Sequence, residues 1–200
     1  LKLKENQAGD EVKVQYWEVE RGWGDAGYDT YLCAGGEEMF YAPYVRHTSF
    51  KILEITGYAG TLTAEDVTGI VAYSQTENTG TFVSSDDRLN AVFTMSERSG
   101  RQNIQQGIIS VDANREQSPW TADSWNIGIG CLYNHANTML IDKIIKDYAG
   151  EQQEDGNFLT CSPGWQFVNP SPEWSMYWPM LLWQEYLFKG DMTLLEEMYV

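Results

Sequence analysis

Apolar and polar residues alternate along Glu11-Val12-Lys13-Val14-Gln15-Tyr16-Trp17-Glu18-Val19, the period-two pattern of a half-buried strand. The glycine-rich stretch Gly22-Trp23-Gly24-Asp25-Ala26-Gly27 reads as a break. A second strand is predicted from Tyr28 to Ala34, closed by a turn at Gly35-Gly36. Further strands are predicted over Met39–Tyr44, Phe50–Thr56, Gly69–Ser74 and Gly80–Val83, with Gly57-Tyr58-Ala59-Gly60 punctuating the run. Many short strands separated by glycine turns predict an antiparallel β-sandwich.

The period changes at Ser84-Ser85-Asp86-Asp87, which reads as a helix N-cap. Beyond it Leu89, Val92, Phe93 and Ser96 recur near the spacing of about 3.6 residues that marks one helix face. The boundary between a β domain (1–81) and a helical domain (82–200) is therefore placed near residue 82. Ser118-Pro119 reads as a second helix start, with Ser capping and Pro at the first helical position. That reading makes 112–118 a loop and puts Trp120 and Asp123 in the first helical turn, where a carboxylate suits the helix dipole.

Helical patterning continues over Trp125–Met139 and then Leu140–Ala149, where Leu140, Ile144, Ile145 and Tyr148 share one apolar face and Gly150 can cap. The loop Cys161–Pro172 is rich in Pro, Gly and aromatics, and long loops of that chemistry tend to carry function. It leads into Trp174, Tyr177, Trp178, Leu181, Leu182 and Tyr186 at helical spacing. Most of that stripe is expected in the core, with Trp174, at the loop-to-helix junction, reaching a ligand. Gly190-Asp191 opens a last helix through Met198. Helices joined by long polar loops at one end and short turns at the other predict an α/α barrel, of which this length holds only a first portion.

Composition narrows the partners. Lys and Arg total 13 against 29 Asp and Glu, a formal charge of −16 with a pI near 4.3, which argues against nucleic acid and anionic membrane surfaces. No apolar run of eighteen residues is present, so no membrane span is expected. Eight Trp and twelve Tyr either fill a helical core or line sugar-binding clefts, and core is the commoner fate. Cys33, Cys131 and Cys161 form neither metal spacing nor a disulfide framework, leaving the redox compartment open. Leu1 is not Met and Val200 falls within a helical pattern, so the chain reads as an excerpt of a longer protein. The missing leader then says little, and a periplasmic or secreted location is only slightly favoured over a cytoplasmic one.

No cofactor is expected. Asp25, Asp29, Glu37 and Glu38 are acidic enough to be weighed as a structural calcium site, but no EF-hand-type order supports one. His47, a lone histidine at a strand end, reads as structural.

The densest chemistry lies in Val111-Asp112-Ala113-Asn114-Arg115-Glu116-Gln117-Ser118-Pro119-Trp120-Thr121-Ala122-Asp123. Carboxylates, a guanidinium and an indole set this close suit sugar cleavage, which needs a protonated acid, an anionic partner and an aromatic face for the ring. The plainer alternative is that Arg115-Glu116 is an ion pair beside a helix start. The same residues resemble the signature of the bacterial α-L-rhamnosidase family, which runs Asp, Arg-Glu, then Trp-x-Gly-Asp. Two departures stand out: Ala122 replaces the family's Gly, and Asp112 lies one residue closer to Arg115 than is usual.

The likeness extends to Asp29-Thr30-Tyr31, to residues 43–51, to Glu54-Ile55-Thr56-Gly57-Tyr58, to residues 82–90 and to the Gln-x-x-Asp-Gly turn within 152–156. The resemblance implies a β-sandwich followed by the first part of an (α/α)6 barrel, and inverting hydrolysis of terminal α-L-rhamnosyl residues. It implies Glu116 as general acid, with Asp112, Arg115, Trp120 and Asp123 gripping the rhamnose; Trp174 is expected to reach the sugar from its place at the loop-to-helix junction, not from the resemblance. The general base is then expected beyond Val200. Another α/α-barrel glycosidase or lyase, or a non-catalytic sugar-binding relative, are the alternatives, since fold does not fix function.

Overall fold

The computed structural model describes residues 1–20, 23–41, 49–74, 76–110, 117–164 and 171–199. Strands come first and helices after them, and the chain divides into two compact units at Ala72/Tyr73. His47, Asp112, Arg115 and Glu116 lie outside the described residues.

In the first unit, β1 (Lys2–Leu3) is followed by β2 (Glu11–Glu20), β3 (Trp23–Leu32), β4 (Glu38–Met39) and β5 (Ile52–Thr56). β2 is the centre of an antiparallel sheet in the order β3-β2-β5, with Val14 opposite Asp29 on one side and Ile55 on the other. β1 and β4 pair separately, Leu3 opposite Glu38. The alternation of β2 holds for Val12, Val14 and Tyr16, buried with Leu3, Ala26, Cys33 and Phe40, but Gln15 is buried as well and Val19 is exposed.

Residues 23–27 of the glycine-rich stretch expected as a break instead belong to β3. Irregular register between Gln15 and Trp17, and again to Glu20, lets the strand absorb its glycines. There the buried Gln15 donates to the Gly27 carbonyl at 2.9 Å. Gly57 has φ +77°, and a side chain there would press its Cβ to 2.0 Å from the Glu11 carbonyl, so only glycine closes this turn. Two of the acids weighed for calcium are otherwise engaged. Asp29 accepts from the Tyr16 hydroxyl at 2.8 Å, and Glu38 closes the Gly35 turn by accepting from Ala34 N–H, Gly35 N–H and the Tyr31 hydroxyl. Those backbone donors, Ala34 foremost, lower the Glu38 pKa.

Two expected strands are not formed. Residues 69–74 run as irregular chain, with Ile70 and Val71 exposed. In the second unit, the 80–83 stretch is also irregular, and the N–H groups of Thr79 and Gly80 both reach the Asn134 carbonyl at 2.8 Å. That carbonyl lies in the last turn of a helix, where no intrahelical donor remains, so this stretch caps a helix rather than pairing in a sheet.

The second unit contains α1 (Asp87–Gln102), β6 (Ile104–Gln105), β7 (Ile108–Ile109), α2 (Thr121–His135), α3 (Thr138–Ala149), α4 (Pro172–Ser175), α5 (Tyr177–Lys189) and α6 (Thr193–Met198). Asp86 caps α1 as expected, accepting from Arg88 N–H at 2.9 Å. The face expected to pack does not: Leu89 and Val92 are about half exposed, and Phe93 stacks on Phe82 at 5.3 Å. β6 and β7 form a hairpin not expected from the sequence. Gln106 and Gly107 both have positive φ, the geometry of a tight two-residue turn, which delivers Ile104 and Ile109 to the core.

A single expected helix boundary near Met139 is in fact a corner at Ala136 (φ +45°) and Asn137, whose side chain accepts from Leu140 N–H at 3.2 Å. α3 then packs Leu140, Ile141, Ile144, Ile145 and Tyr148 against Cys131 and Leu132 of α2 and Trp178, Leu181 and Leu182 of α5. The Cys131 thiol, buried there, is pushed up to about 12. Glu185 on α5 is fully buried, with Lys189 at 3.3 Å and Asp142 of α3 bound to the same ammonium at 2.8 Å. Burial, reinforced by Asp142, raises the Glu185 pKa. Among the described residues no helix is long and apolar enough to cross a membrane.

Candidate functional site

Trp120, Asp123 and Trp174 can be placed; Asp112, Arg115 and Glu116 belong to the stretch outside the described residues. α2 starts at Thr121, two residues later than Ser118-Pro119 suggested, and its N-cap is Trp120 in an extended conformation. The cause is tertiary. Trp120 bridges Cys161, Thr121 N–H donates to the Thr160 carbonyl at 2.9 Å, and Ser162 N–H donates to the Pro119 carbonyl at 3.2 Å. A strand-like pairing holds 119–121 extended, so the helix can begin only beyond it. Ser118 is buried in this pairing instead of capping.

The first turn of α2 faces inward. Thr121, Ala122 and Ser124 are buried, and the Thr121 hydroxyl donates to Thr160 and Leu159 carbonyls at 3.0 and 3.3 Å. Buried positions this tight explain a run of small side chains, Ala122 included. Asp123 is half-buried in the same turn, where its charge meets the positive end of the helix dipole.

The second wall comes from α4. Pro172 starts it, Ser171 donates its hydroxyl to Glu173 at 2.7 Å, and that hydrogen bond lowers the Glu173 pKa. Ser175 donates to the Phe158 carbonyl at 2.8 Å, and the Phe158 ring stacks on Trp178 at 4.3 Å. The result brings Trp174 edge-on to Trp120, with ring centroids 5.7 Å apart and planes at 64°. Both indoles are half-buried. Trp174 thus takes the junction position expected of it, while Trp178, Leu181 and Leu182 go to the core.

The frame around the pair was missed in the sequence: Thr121, Tyr148, Phe158, Thr160, Ser162 and Ser175. Each acts through a partner far away in the chain, so only Tyr148, on its apolar face, carried any local signal. α2 and α5 leave an open groove of about 390 Å³ lined by Trp125, Met180, Trp183, Gln184 and Leu187, which neither Trp120 nor Trp174 lines. Among the described residues no group of three His, Cys, Asp or Glu side chains is arranged to hold a metal ion.

A family model described as the bacterial alpha-L-rhamnosidase 6 hairpin glycosidase domain matches residues 77–200. An alpha-L-rhamnosidase from Streptomyces avermitilis is 25% identical over 162 residues, covering 76% of this chain and 16% of that protein. The structure of alpha-L-rhamnosidase from Dictyoglumus thermophilum superposes with a TM-score of 0.89 at 25% identity, over 100% of this chain and 24% of that one. The Streptomyces avermitilis enzyme complexed with L-rhamnose superposes with a TM-score of 0.84 at 25% identity, over 98% of this chain and 20% of that one. This chain therefore spans between about a sixth and a quarter of the length of these relatives. Since the family match covers more than half of the chain, this protein belongs to the bacterial α-L-rhamnosidase family.

Proposed function

We propose that these residues form part of an inverting α-L-rhamnosidase, with 1–81 a β-sandwich and 82–200 the first portion of an (α/α)6 catalytic barrel. On this reading the open groove between α2 and α5 is a seam covered by further barrel helices. The observation that carries the proposal is the Trp120–Trp174 pair at the head of α2, with Trp120 separated in the sequence from Arg115-Glu116 by Gln117-Ser118-Pro119. Two indoles from distant parts of the chain, each half-buried, make an aromatic corner suited to a sugar ring. The neighbouring Asp123 supplies a charge for its hydroxyls.

Glu116 is the general acid, giving its proton to the oxygen of the departing group. A second carboxylate, about 6.5–9.5 Å away, activates water on the opposite face, so the anomeric configuration inverts. Asp112, Arg115 and Asp123 hold the ring hydroxyls, and Trp120 and Trp174 meet the ring face and the C5 methyl. A single methyl contact is worth only about 1 kcal/mol, so preference over a sugar with a hydroxyl there rests on excluding that hydroxyl. The substrate is a carbohydrate bearing terminal L-rhamnose, and the chemistry needs no cofactor.

The test uses Glu116→Gln in the full-length protein. General acid catalysis contributes about 10²–10⁴-fold where the leaving group must be protonated. The variant is therefore expected to lose about that much on an alkyl rhamnoside and far less on an activated aryl rhamnoside. Equal, mild losses on both substrates would remove Glu116 from the role.

A further inference from the structure

Tyr148 is the anomaly in the core of the second unit. Leu140, Ile141, Ile144 and Ile145 fill the same face of α3 with aliphatic side chains, yet Tyr148 brings a hydroxyl to a site 1% exposed. A buried phenol needs a hydrogen-bond partner, and this one donates to the carbonyl of Pro119, the residue before Trp120. Proline has no N–H, so the carbonyl is the handle by which this stretch is held. Ser162 N–H holds the same carbonyl from the other strand of the pairing.

The second wall refers to the same turn of α3. The Ser162 hydroxyl donates to the Asp147 carbonyl at 3.1 Å, and Trp178 donates its indole N–H to the Ile145 carbonyl at 2.9 Å. Trp178 carries the stacked Phe158, whose carbonyl receives Ser175, the neighbour of Trp174. Residues 145–148 thus fix both the Trp120 stretch and the Trp174 stretch to one reference.

We propose that Tyr148 is a positioning residue for the sugar-facing Trp120–Trp174 pair, acting through the Pro119 carbonyl, a role that rests on the rhamnosidase reading of that site. Burial raises the phenol pKa far above its ordinary value, so the hydroxyl remains a donor across the working pH range.

Tyr148→Phe in the full-length protein keeps the ring and removes only the hydroxyl. Ser162 N–H still satisfies the Pro119 carbonyl, so the fold is retained. Small misplacements at a site cost up to about a hundredfold. For this variant KM on an aryl rhamnoside is expected to rise about tenfold with kcat little changed. The far-UV circular dichroism couplet of the indole pair, identified by its loss in Trp174→Phe, is expected to weaken with it. Ser162→Ala, which cuts the other tie to α3, is expected to move both readouts the same way. Ile144→Val, a deletion at similar depth on the same face but outside these ties, lowers the melting temperature and leaves both unchanged. A Tyr148→Phe protein with wild-type KM and couplet overturns the proposal. A wild type inactive on rhamnosides would instead sink the reading of the site, and the couplet alone would then judge the positioning.

Discussion

Lys4 and Asp66 sit at opposite ends of the first unit's sequence, yet they form an ion pair. Asp66 is buried and also accepts from the Thr63 N–H at 3.0 Å and the Thr63 hydroxyl at 2.7 Å. Lys4 first, then Thr63, lower its pKa from 3.8 to about 2. A folded value below the unfolded one means that the native state binds fewer protons. The stabilisation is therefore complete above the unfolded pKa of 3.8 and disappears as pH falls through about 2. Asp66→Asn is expected to flatten the acid limb of stability between about pH 4 and pH 2. Thermal melts across that range check it, and a variant that keeps the wild-type slope contradicts it. Nothing local in the sequence pointed to this pair, whereas the Asp86 cap was readable because donor and acceptor are two residues apart. The same contrast applies around Trp120 and Trp174: the aromatics stand out in the sequence, whereas the Thr121–Thr160 and Ser175–Phe158 hydrogen bonds beside them are made only in the fold.

Helices of the second unit cross where a side chain would obstruct them. A Cβ on Gly128 of α2 would lie 3.2 Å from the Ile141 δ-methyl, 3.4 Å from that of Leu181 and 3.6 Å from that of Ile109, so α3, α5 and β7 all converge there. Gly128→Val is expected to cost about 1–3 kcal/mol by overpacking, read as a lower denaturant midpoint with unchanged slope. Gly128→Ala gains about 1 kcal/mol of helix propensity against a contact that a methyl end can partly yield, so it should lie near neutral. Period-two alternation located β2 well because one of its faces is buried along much of its length. It failed for 69–74 and 80–83, where β-branched residues occur without a sheet partner. The start of α2 was misread for a related reason: Ser-Pro has the chemistry of a helix start, but pairing with 160–162 takes precedence over local propensity. The β6–β7 hairpin was overlooked because Gln-Gly is a weaker turn signal than Asn-Gly, and four isoleucine and glutamine residues are too few to show a period.

At the level of the whole chain, a formal charge of −16 coexists with much exposed apolar surface. Leu89, Val92 and Met95 of α1 and Met180, Trp183 and Leu187 of α5 are all exposed. Patches of this kind favour association, and the net charge opposes it with a strength that salt screens. The 200-residue chain prepared alone is expected to bind a hydrophobic dye and to self-associate increasingly with salt. Light scattering at low and high ionic strength checks this, and a salt-independent monomer contradicts it. The succession of β then α was legible because each period extends over several elements. The arrangement of the helices was less so: Trp178, Leu181 and Leu182 of α5 are core as their spacing suggests, whereas Leu89 and Val92 of α1, patterned the same way, are open to solvent here. The clasp between 119–121 and 160–162 carries a consequence for how the chain assembles. Its ends are about forty residues apart, and α2 and α3 occupy most of the interval. Closing so long a loop as free coil is slow and costs entropy, but once the two helices have docked most of that cost has already been met. The clasp is therefore expected to form on the downhill side of the folding barrier, so that weakening it chiefly quickens unfolding, which stopped-flow unfolding of Thr121→Ala against wild type checks. On that order the aromatic corner is among the last features to appear and the first to open.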